Sequence, residues 1–389
     1  MTNRKLRMGM IGGGKDAFIG AIHRRAAIME NNVELVCGNF SVDPKISYES
    51  GKEYHLPSHR IYDDYHTMIE SESKLPIDER MDFVTIVTPN KWHFEPAMLA
   101  LDNGFHVVLD KPMTFSLDEA KQLQEKVEQT GLILALTHVY SGYPAVKELK
   151  SRVANGSIGN IRRVFVEYLQ GWLSNRIELD GGNNAVWRTD PKKTGKAGCV
   201  GDIGTHAWHL CEYILNAKVT ELCAELTAFA PNRPIDDDGV SFLHFDNGVK
   251  GVLTTSQIAA GEENNLSIRI YGEKGGLVWR QQDPNTIYAK WINKPTEIIR
   301  IGNDKNYLAP ITEHNLRVPS GHPEGFIEAF SNIYKNFTLT VQSVLKGEKP
   351  KEDFLDFPTV YDGVRGMQFI ETMVAAGYDN KKKWTKWVD

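Results

Sequence analysis

The sequence predicts two domains in tandem, an α/β domain on a parallel sheet and then an α+β domain with a large, mainly antiparallel sheet. Three observations carry this. Up to about residue 137, short apolar β-type runs alternate with amphipathic helical stretches. Beyond it the β-type segments lengthen and the helices thin out. The chain's 389 residues also exceed the ~100–200 that one core usually serves. The expected domains are therefore residues 1–137 and 138–389.

In the first domain Leu6–Ile11, Glu34–Cys37, Phe83–Val87, His106–Leu109 and Leu132–Leu136 read as strands. They are short and continuously apolar, as strands covered by helices on both faces are. Between them, Phe94–Asn103 and Leu117–Gln129 carry apolar residues at helical spacing. In the second domain Arg162–Gln170, Val219–Phe229, Val240–Phe245, Val249–Gln257 and Leu266–Gly272 read as strands. Asp246-Asn247-Gly248 between two of them is a hairpin signal. Helices are expected at His206–Leu215 and at Pro323–Phe337, with Pro323 in the first turn and Glu324 at its positive end. A last helical segment from about Tyr361 is placed to return to the first domain.

Hydrophobic residues at 41% and charged residues at 24% match an ordinary globular protein. A formal charge of -5 without a basic stretch argues against a nucleic acid partner. Apolar runs such as Leu132–Leu136 are far too short to cross a bilayer, so no membrane partner is expected. The opening MTNRKLRMGMIGGG passes from a polar tip directly into a strand, without the apolar region and cleavage site of a signal peptide. Cys37, Cys199, Cys211 and Cys223 form no C-x-x-C pair. A disulfide framework or structural zinc is not expected, and a reducing cytoplasm fits.

Gly12-Gly13-Gly14 follows the first strand, and Gly20 and His23 fall on the helix expected next. Glycines there let the backbone turn sharply and approach a pyrophosphate at the helix N-terminus. Gly12, Gly13 and Gly14, with Phe18 and Ile19, are therefore candidate dinucleotide contacts in a Rossmann-type domain. Strict G-x-G-x-x-G spacing is not met, because Lys15-Asp16-Ala17 reads as an insertion, and a tight surface turn is the alternative. A Val at Gly14 is expected to weaken dinucleotide binding without unfolding the chain. No acid ends the second strand to bind the ribose; Ser41 and Asp43 are the candidates. Asp43 serves equally as a helix N-cap before Pro44, and Lys45 would suit a 2′-phosphate. NAD is the expected cofactor, with NADP open.

Three further segments complete a pattern: Thr88-Pro89-Asn90-x-x-His93, the run from Gly104 and His106 to Asp110-Lys111-Pro112, and Gly201-Asp202-Ile203-Gly204-Thr205-His206. With the glycine turn, in this order and over nearly the whole chain, they resemble the Gfo/Idh/MocA family, the glucose–fructose oxidoreductase and inositol dehydrogenase group. Gly195–His206, Ser256-Gln257 and the run from Tyr271 to Gly276 look like a branch active on inositols or glycosides. The resemblance implies NAD(P)-dependent hydride transfer between nicotinamide and a secondary alcohol of a cyclic polyol, sugar or glycoside. It also implies assembly through open sheets, as a homodimer or homotetramer. Two residues depart from the pattern: Asp110 stands where the family usually has Glu, and His209 where it often has an acid.

Oxidising an alcohol needs a proton acceptor and a group that stabilises the developing alkoxide. Lys111 fits the second role: it ends an apolar strand, where doubly wound sheets bind ligands, and Pro112 biases its direction. A surface lysine is the alternative. Asp202 and His206, four apart at a helix start, share one face. His206 would take the proton while Asp202 orients it, holds substrate or caps the helix. A core histidine is the alternative, and a metal on Asp202, His206 and His209 ranks below a metal-free relay. Thr88, Pro89, Asn90, His93, Asp110 and Lys111 are expected beside the nicotinamide end of the cofactor, although Pro89 and Asn90 are also ordinary turn residues. His138, Arg188 and His322, with Lys111, Asp202 and His206, are expected to touch substrate. Trp172, Trp187 and Trp208 either face a sugar ring or belong to the core. His322 either caps the helix after it or reaches substrate in its own or a neighbouring subunit. Two other functions stay open: a glycosidase that retains its NAD through transient oxidation, and a sugar-responsive regulator without catalysis.

Overall fold

The computed structural model describes residues 4–15, 17–180, 183–379, 381 and 384–388. Asp16 of the expected insertion and the polar tip at residues 1–3 lie outside the described residues. The chain forms two compact units, Met1–Val139 with Phe326–Val364, and Tyr140–Gly325 with Arg365–Asp389.

The first unit opens with β1 (Leu6–Gly12), α1 (Phe18–Ile28), β2 (Val33–Asn39), α2 (Pro44–Glu53), α3 (Tyr65–Lys74) and β3 (Phe83–Val87). It continues with α4 (Phe94–Asp102), β4 (His106–Leu109), α5 (Leu117–Thr130) and β5 (Leu134–Leu136). The five expected strands form one parallel sheet in the order β2-β1-β3-β4-β5. Met8, Met10, Phe83, Ile86, Val107 and Leu109 are buried, as a sheet covered on both faces requires. Gly12 lies beside Val87, and Ile86 beside Leu109. This register brings the glycine turn, Thr88 and Asp110-Lys111 to one carboxyl edge. The strand order reverses between β1 and β3, where such sheets bind ligands.

The second unit contains α6 (Pro144–Ala154), β6 (Ile161–Leu169), α7 (Asn183–Arg188), α8 (Pro191–Thr194) and a π-helical turn at Val200–Gly204 that runs into α9 (Thr205–Leu215). Then come β7 (Val219–Thr227), β8 (Asp238–Phe245), β9 (Lys250–Ser256), β10 (Asn265–Gly272), β11 (Gly275–Arg280), β12 (Asp283–Trp291), β13 (Glu297–Arg300) and α10 (Pro310–His314). The chain ends with α11 (Phe326–Leu345), α12 (Val360–Gly377) and β14 (Thr385–Lys386). The nine-stranded sheet runs β13-β12-β11-β10-β6-β9-β8-β7-β14, antiparallel except between β6 and β9. The Asp-Asn-Gly hairpin joins β8 to β9, with Gly248 at φ +86. Helices α6 and α9 pack against the sheet. On β8, Val240 and Phe242 alternate outward and are exposed.

Strands β11 to β13, and the two-residue β14, are not among those expected from the sequence. The apolar alternation of β11 to β13 is interrupted by Gly275-Gly276 and Asp283-Pro284, and only pairing in the sheet identifies them. The helix expected from Pro323 starts instead at Phe326. Glu324 does not lie at its positive end: the carboxylate is buried and accepts from the backbone N–H of Arg317 (2.7 Å) and from its guanidinium (3.0 Å). The return to the first unit begins at Phe326, well before residue 361. Its cause is the apolar stripe of α11, where Phe337 meets Phe83 edge-on at 5.2 Å and Tyr334 reaches Thr85 at 3.1 Å. Among the described residues no helix is long and apolar enough to cross a membrane.

Candidate active site

In the first unit Gly12 and Gly13 adopt φ +80 and +71, a region that side chains disfavour. A Cβ on Gly20 would lie 2.3 Å from the Cα of Gly13, so α1 starts almost in contact with the turn. That helix has no side-chain cap and no acid in its first turn. Its leading N–H groups and dipole therefore suit an anion. Phe18 is exposed, and Ile19 packs on Met10, Phe40, Leu56 and Val87. At Gly14 an added Cβ would lie 2.7 Å from the carbonyl oxygen of Phe40, which already accepts the Gly14 N–H at 3.1 Å. This corrects the expectation for Gly14→Val, because the new side chain would strain the fold itself.

Beyond β2 the open choice at Asp43 has one settled part: its carboxylate caps α2, accepting from Lys45 N at 2.9 Å. The Ser41 hydroxyl accepts from Asp43 N at 3.1 Å. Asn39, which no sequence motif marks, donates its amide to the carbonyls of Ser41, Tyr62 and Asp63 and so shapes this loop.

Thr88 donates its hydroxyl to Trp92 O at 2.9 Å, Pro89 precedes a short 3-10 turn, and Asn90 is buried. His93 is buried too, with Nε2 2.7 Å from Thr88 O and Nδ1 3.0 Å from Pro112 O. Both ring nitrogens thus face the chain's own carbonyls, and the ring braces the loop after β3 to the loop after β4. Burial lowers its pKa. The Lys111–Pro112 peptide is cis. Asp110 Oδ1 accepts from Lys111 N at 2.9 Å and from the Thr137 hydroxyl at 2.8 Å. His138 is buried just beyond β5.

In the second unit Asp202 sits within the π-helical turn, a deviation often found at functional sites. It does not cap α9, whose N-cap is Gly204. Its Oδ2 accepts from Gln257 Nε2 at 2.8 Å and lies 3.4 Å from Arg188 Nε. The Arg188 guanidinium covers the Trp187 ring at 4.2 Å. Gln257 also approaches Gln170 Oε1 (3.4 Å), which accepts from Trp172 Nε1 (2.9 Å). Gln170 donates to Asn264 Oδ1 at 2.6 Å, and the Tyr168 hydroxyl donates to the same oxygen at 2.8 Å. The hydroxyls of Tyr140 and Tyr168 are hydrogen-bonded, and burial raises the pKa of both. His206 is buried, its ring edge-on to Tyr140 at 4.9 Å.

Sheet pairing explains this convergence. β6 and β9 run parallel with Leu169 beside Ser256, and β10 starts at Asn265, also beside Leu169. Gln170, Gln257 and Asn264 therefore emerge at one edge. Asp236, buried and raised to about 6 mainly by desolvation, accepts from Gly198 N (2.7 Å) and Val200 N (2.8 Å) and fixes the entry to the π-helical turn. Tyr140, Tyr168, Gln170 and Asn264 were not singled out in the sequence. The available signal was a polar residue ending each of two long apolar runs, Gln170 and Gln257.

Other expected residues lie elsewhere. His209 is buried and stacks on Tyr213. Trp208 belongs to the core, stacked on Phe369 at 5.6 Å. His322 is exposed, with Nδ1 3.3 Å from Pro319 O, and lies four positions before α11, so it does not cap that helix.

Residues 6–138 match the oxidoreductase family with an NAD-binding Rossmann fold, and residues 146–278 match the GFO/IDH/MocA C-terminal domain. An uncharacterized oxidoreductase of Bacillus subtilis (strain 168), YfiI, is 29% identical over 377 residues, covering 96% of this chain and 95% of that protein. The crystal structure of an inositol dehydrogenase homologue from Azotobacter vinelandii with NAD+ superposes with a TM-score of 0.93 at 31% identity, covering 99% of this chain and 98% of that one. An inositol dehydrogenase homologue from the same organism with NADH and myo-inositol gives 0.90 at 29% identity, with coverage of 99% and 98%.

Proposed function

The chain belongs to the Gfo/Idh/MocA family and is an NAD-dependent oxidoreductase, and on that premise we propose that its substrate is a cyclic polyol or sugar, oxidised or formed at a secondary alcohol. The observation that carries this is the polar edge of the second unit. Asp202, Gln257, Gln170 and Asn264 gather beside His206 and two tyrosines, a density of donors and acceptors suited to a ligand with many hydroxyls.

Positive-φ glycines, close approach at Gly20 and an uncapped α1 suit the dinucleotide. Gly12, Gly13, Gly14, Phe18 and Ile19 would hold its pyrophosphate end, Ser41 and Asp43 its ribose, and Thr88, Pro89, Asn90, Asp110 and Lys111 the nicotinamide end. His93 would act by positioning these loops. When bound, NAD supplies the hydride acceptor. Lys111 stabilises charge on the alcohol oxygen, His206 takes its proton, and Asp202 orients substrate with Arg188. His138 and His322 contact substrate, His322 from its own or a neighbouring subunit. The exposed Val240 and Phe242 on β8 support assembly through the open sheet face, as a homodimer or homotetramer. Four free cysteines support a cytoplasmic location.

The test is a panel of inositols, aldoses and glycosides assayed at the NADH absorbance band with NAD and with NADP, on the protein and on His322→Ala. Expected are NADH release with a polyol or sugar and a raised KM in the variant. Glycoside cleavage without NADH release would overturn the reading in favour of a cofactor-retaining glycosidase. An unchanged KM would remove His322 from the site.

A further inference from the structure

His23 lies on α1, fully buried, and its two ring nitrogens differ. Nδ1 is 2.8 Å from the Tyr334 hydroxyl, which is itself 3.1 Å from the Thr85 hydroxyl. Nε2 has no hydrogen-bond partner among the described residues, and it lies 4.0 Å from Asp110 Oδ1. That oxygen accepts the backbone N–H of Lys111.

Two proton arrangements fit these distances. If Tyr334 donates to Thr85, Nδ1 carries the proton and the lone pair of Nε2 faces a carboxylate, which is repulsive. If Thr85 donates to Tyr334 and Tyr334 to Nδ1, the proton sits on Nε2 and points at Asp110, which is attractive. Burial among hydrophobic rings, including Phe330 at 4.9 Å, magnifies the difference. Burial also lowers the His23 pKa to about 4, against Asp110 and with His93 and Arg24, so the ring is neutral at working pH and the tautomer decides its influence. Both hydroxyls of the chain come from elements other than α1, Thr85 from β3 and Tyr334 from α11.

We propose that His23 is a positioning residue for the hydride transfer: Thr85 and Tyr334 hold it as the Nε2–H tautomer, its N–H fixes the Asp110 carboxylate, and Asp110 in turn fixes the backbone at Lys111. This rests on the role given to Lys111 above. Asp110 Oδ1 stays 4.0 Å from Nε2. At that distance the interaction is electrostatic rather than a hydrogen bond.

The first measurement uses the cofactor-free protein labelled with 15N-histidine. The His23 ring, assigned by its loss in His23→Gln, should carry its proton on Nε2 and none on Nδ1; a proton on Nδ1 overturns the proposal. The second compares variants. Gln places its amide near the Nε2 position and keeps a donor toward Asp110, whereas Asn reaches only the Nδ1 position. His23→Asn should lose about tenfold in kcat, the order expected when an N–H dipole facing a carboxylate in a buried site is removed, at little change in KM. His23→Gln should stay within about threefold of the parent on the same scale. Equal kcat for the Asn variant and the parent, with Lys111→Ala impaired, overturns the role of His23 and leaves Lys111 in place. A fully active Lys111→Ala overturns the Lys111 assignment and this positioning role, whatever the tautomer.

Discussion

Asp110 and Asp202 each stand beside a residue assigned to the chemistry, and they are held by different kinds of group. Asp110 is fixed by a backbone N–H of its own loop, with Thr137 as second donor. Asp202 is fixed by side chains, Gln257 at 2.8 Å and Arg188 at 3.4 Å. The first arrangement follows from a few consecutive residues at the end of a strand. The second exists only after β6, β9 and β10 have paired in register. One half of the chemistry is thus written locally and the other is assembled by topology.

The largest expected effect treats the two halves alike. Lys111→Ala removes the proposed alkoxide stabiliser and His206→Ala the proposed base, each expected to lower turnover about 10²–10⁴-fold. NAD affinity, read by fluorescence titration, should survive His206→Ala and fall far less than turnover in Lys111→Ala, which loses one contact at the nicotinamide end while the glycine turn and α1 are untouched. If either variant turns over near the parent rate, that residue has no such role and the comparison loses one of its terms.

This contrast also explains what could be read in advance. All five strands of the first sheet, the glycine turn and Asp110-Lys111-Pro112 lie in short continuous segments, so periodicity and motif located them. The Ser116 capping box and Gly131 likewise bound α5 by local rules. The tyrosine pair and Asn264 left no local pattern, and Gln170 only its place at the end of an apolar run. They come from three separate segments, and sheet register joins the two that carry Tyr168, Gln170 and Asn264. β11 to β13 were missed for the same reason. The membership of α11 in the first unit depends on Phe337 finding Phe83, far away in the sequence. Asp43 shows the opposite difficulty: a cap and a ribose ligand ask for the same residue, and only the cap is visible in the protein's own hydrogen bonds.

Acid should separate the two units. In the first, burial lowers His23 and His106 to about 4 and lowers His93 as well. A histidine depressed in the folded state supports stability fully above its unfolded value near 6.5, and that support is lost as pH falls through the folded value. For His23 and His106 the lowering corresponds to about 3 kcal/mol each over the whole window, as an order of magnitude. In the second unit Asp236 is raised to about 6. Its contribution has the opposite sign: burying the charge costs stability at neutral pH, and protonation between about 6 and 4 relieves it. Peptide-resolved hydrogen exchange at pH 7.5 and 5, corrected for intrinsic rates, should show β1, β3 and β4 losing protection more than the segment from Gly198 to Val200. Equal loss in both places would show that these groups do not govern the acid response.

The smallest effect tests the comparison most directly, by removing one donor from each acid. Gln257→Leu takes a neutral donor from Asp202 Oδ2 and also breaks the link to Gln170. The Arg188 guanidinium stays at 3.4 Å on a side chain that can swing, so the carboxylate is held less firmly. A hydrogen bond to a charged group is worth about 1.5–3 kcal/mol, which sets an expected fall in kcat/KM of about 10–100-fold. Thr137→Val removes the equivalent donor from Asp110 Oδ1. Here the Lys111 N–H stays, because the variant leaves the backbone at Lys111 intact, and the carboxylate keeps its direction. The Thr137 variant should therefore fall by no more than about tenfold, the low end of the Gln257→Leu range, because the acceptor keeps a second partner. Steady-state kinetics on both variants, with folding checked by thermal melts, decides the matter. A larger loss for Thr137→Val than for Gln257→Leu would mean that the backbone bond does not hold Asp110 and that both acids depend on side chains alike.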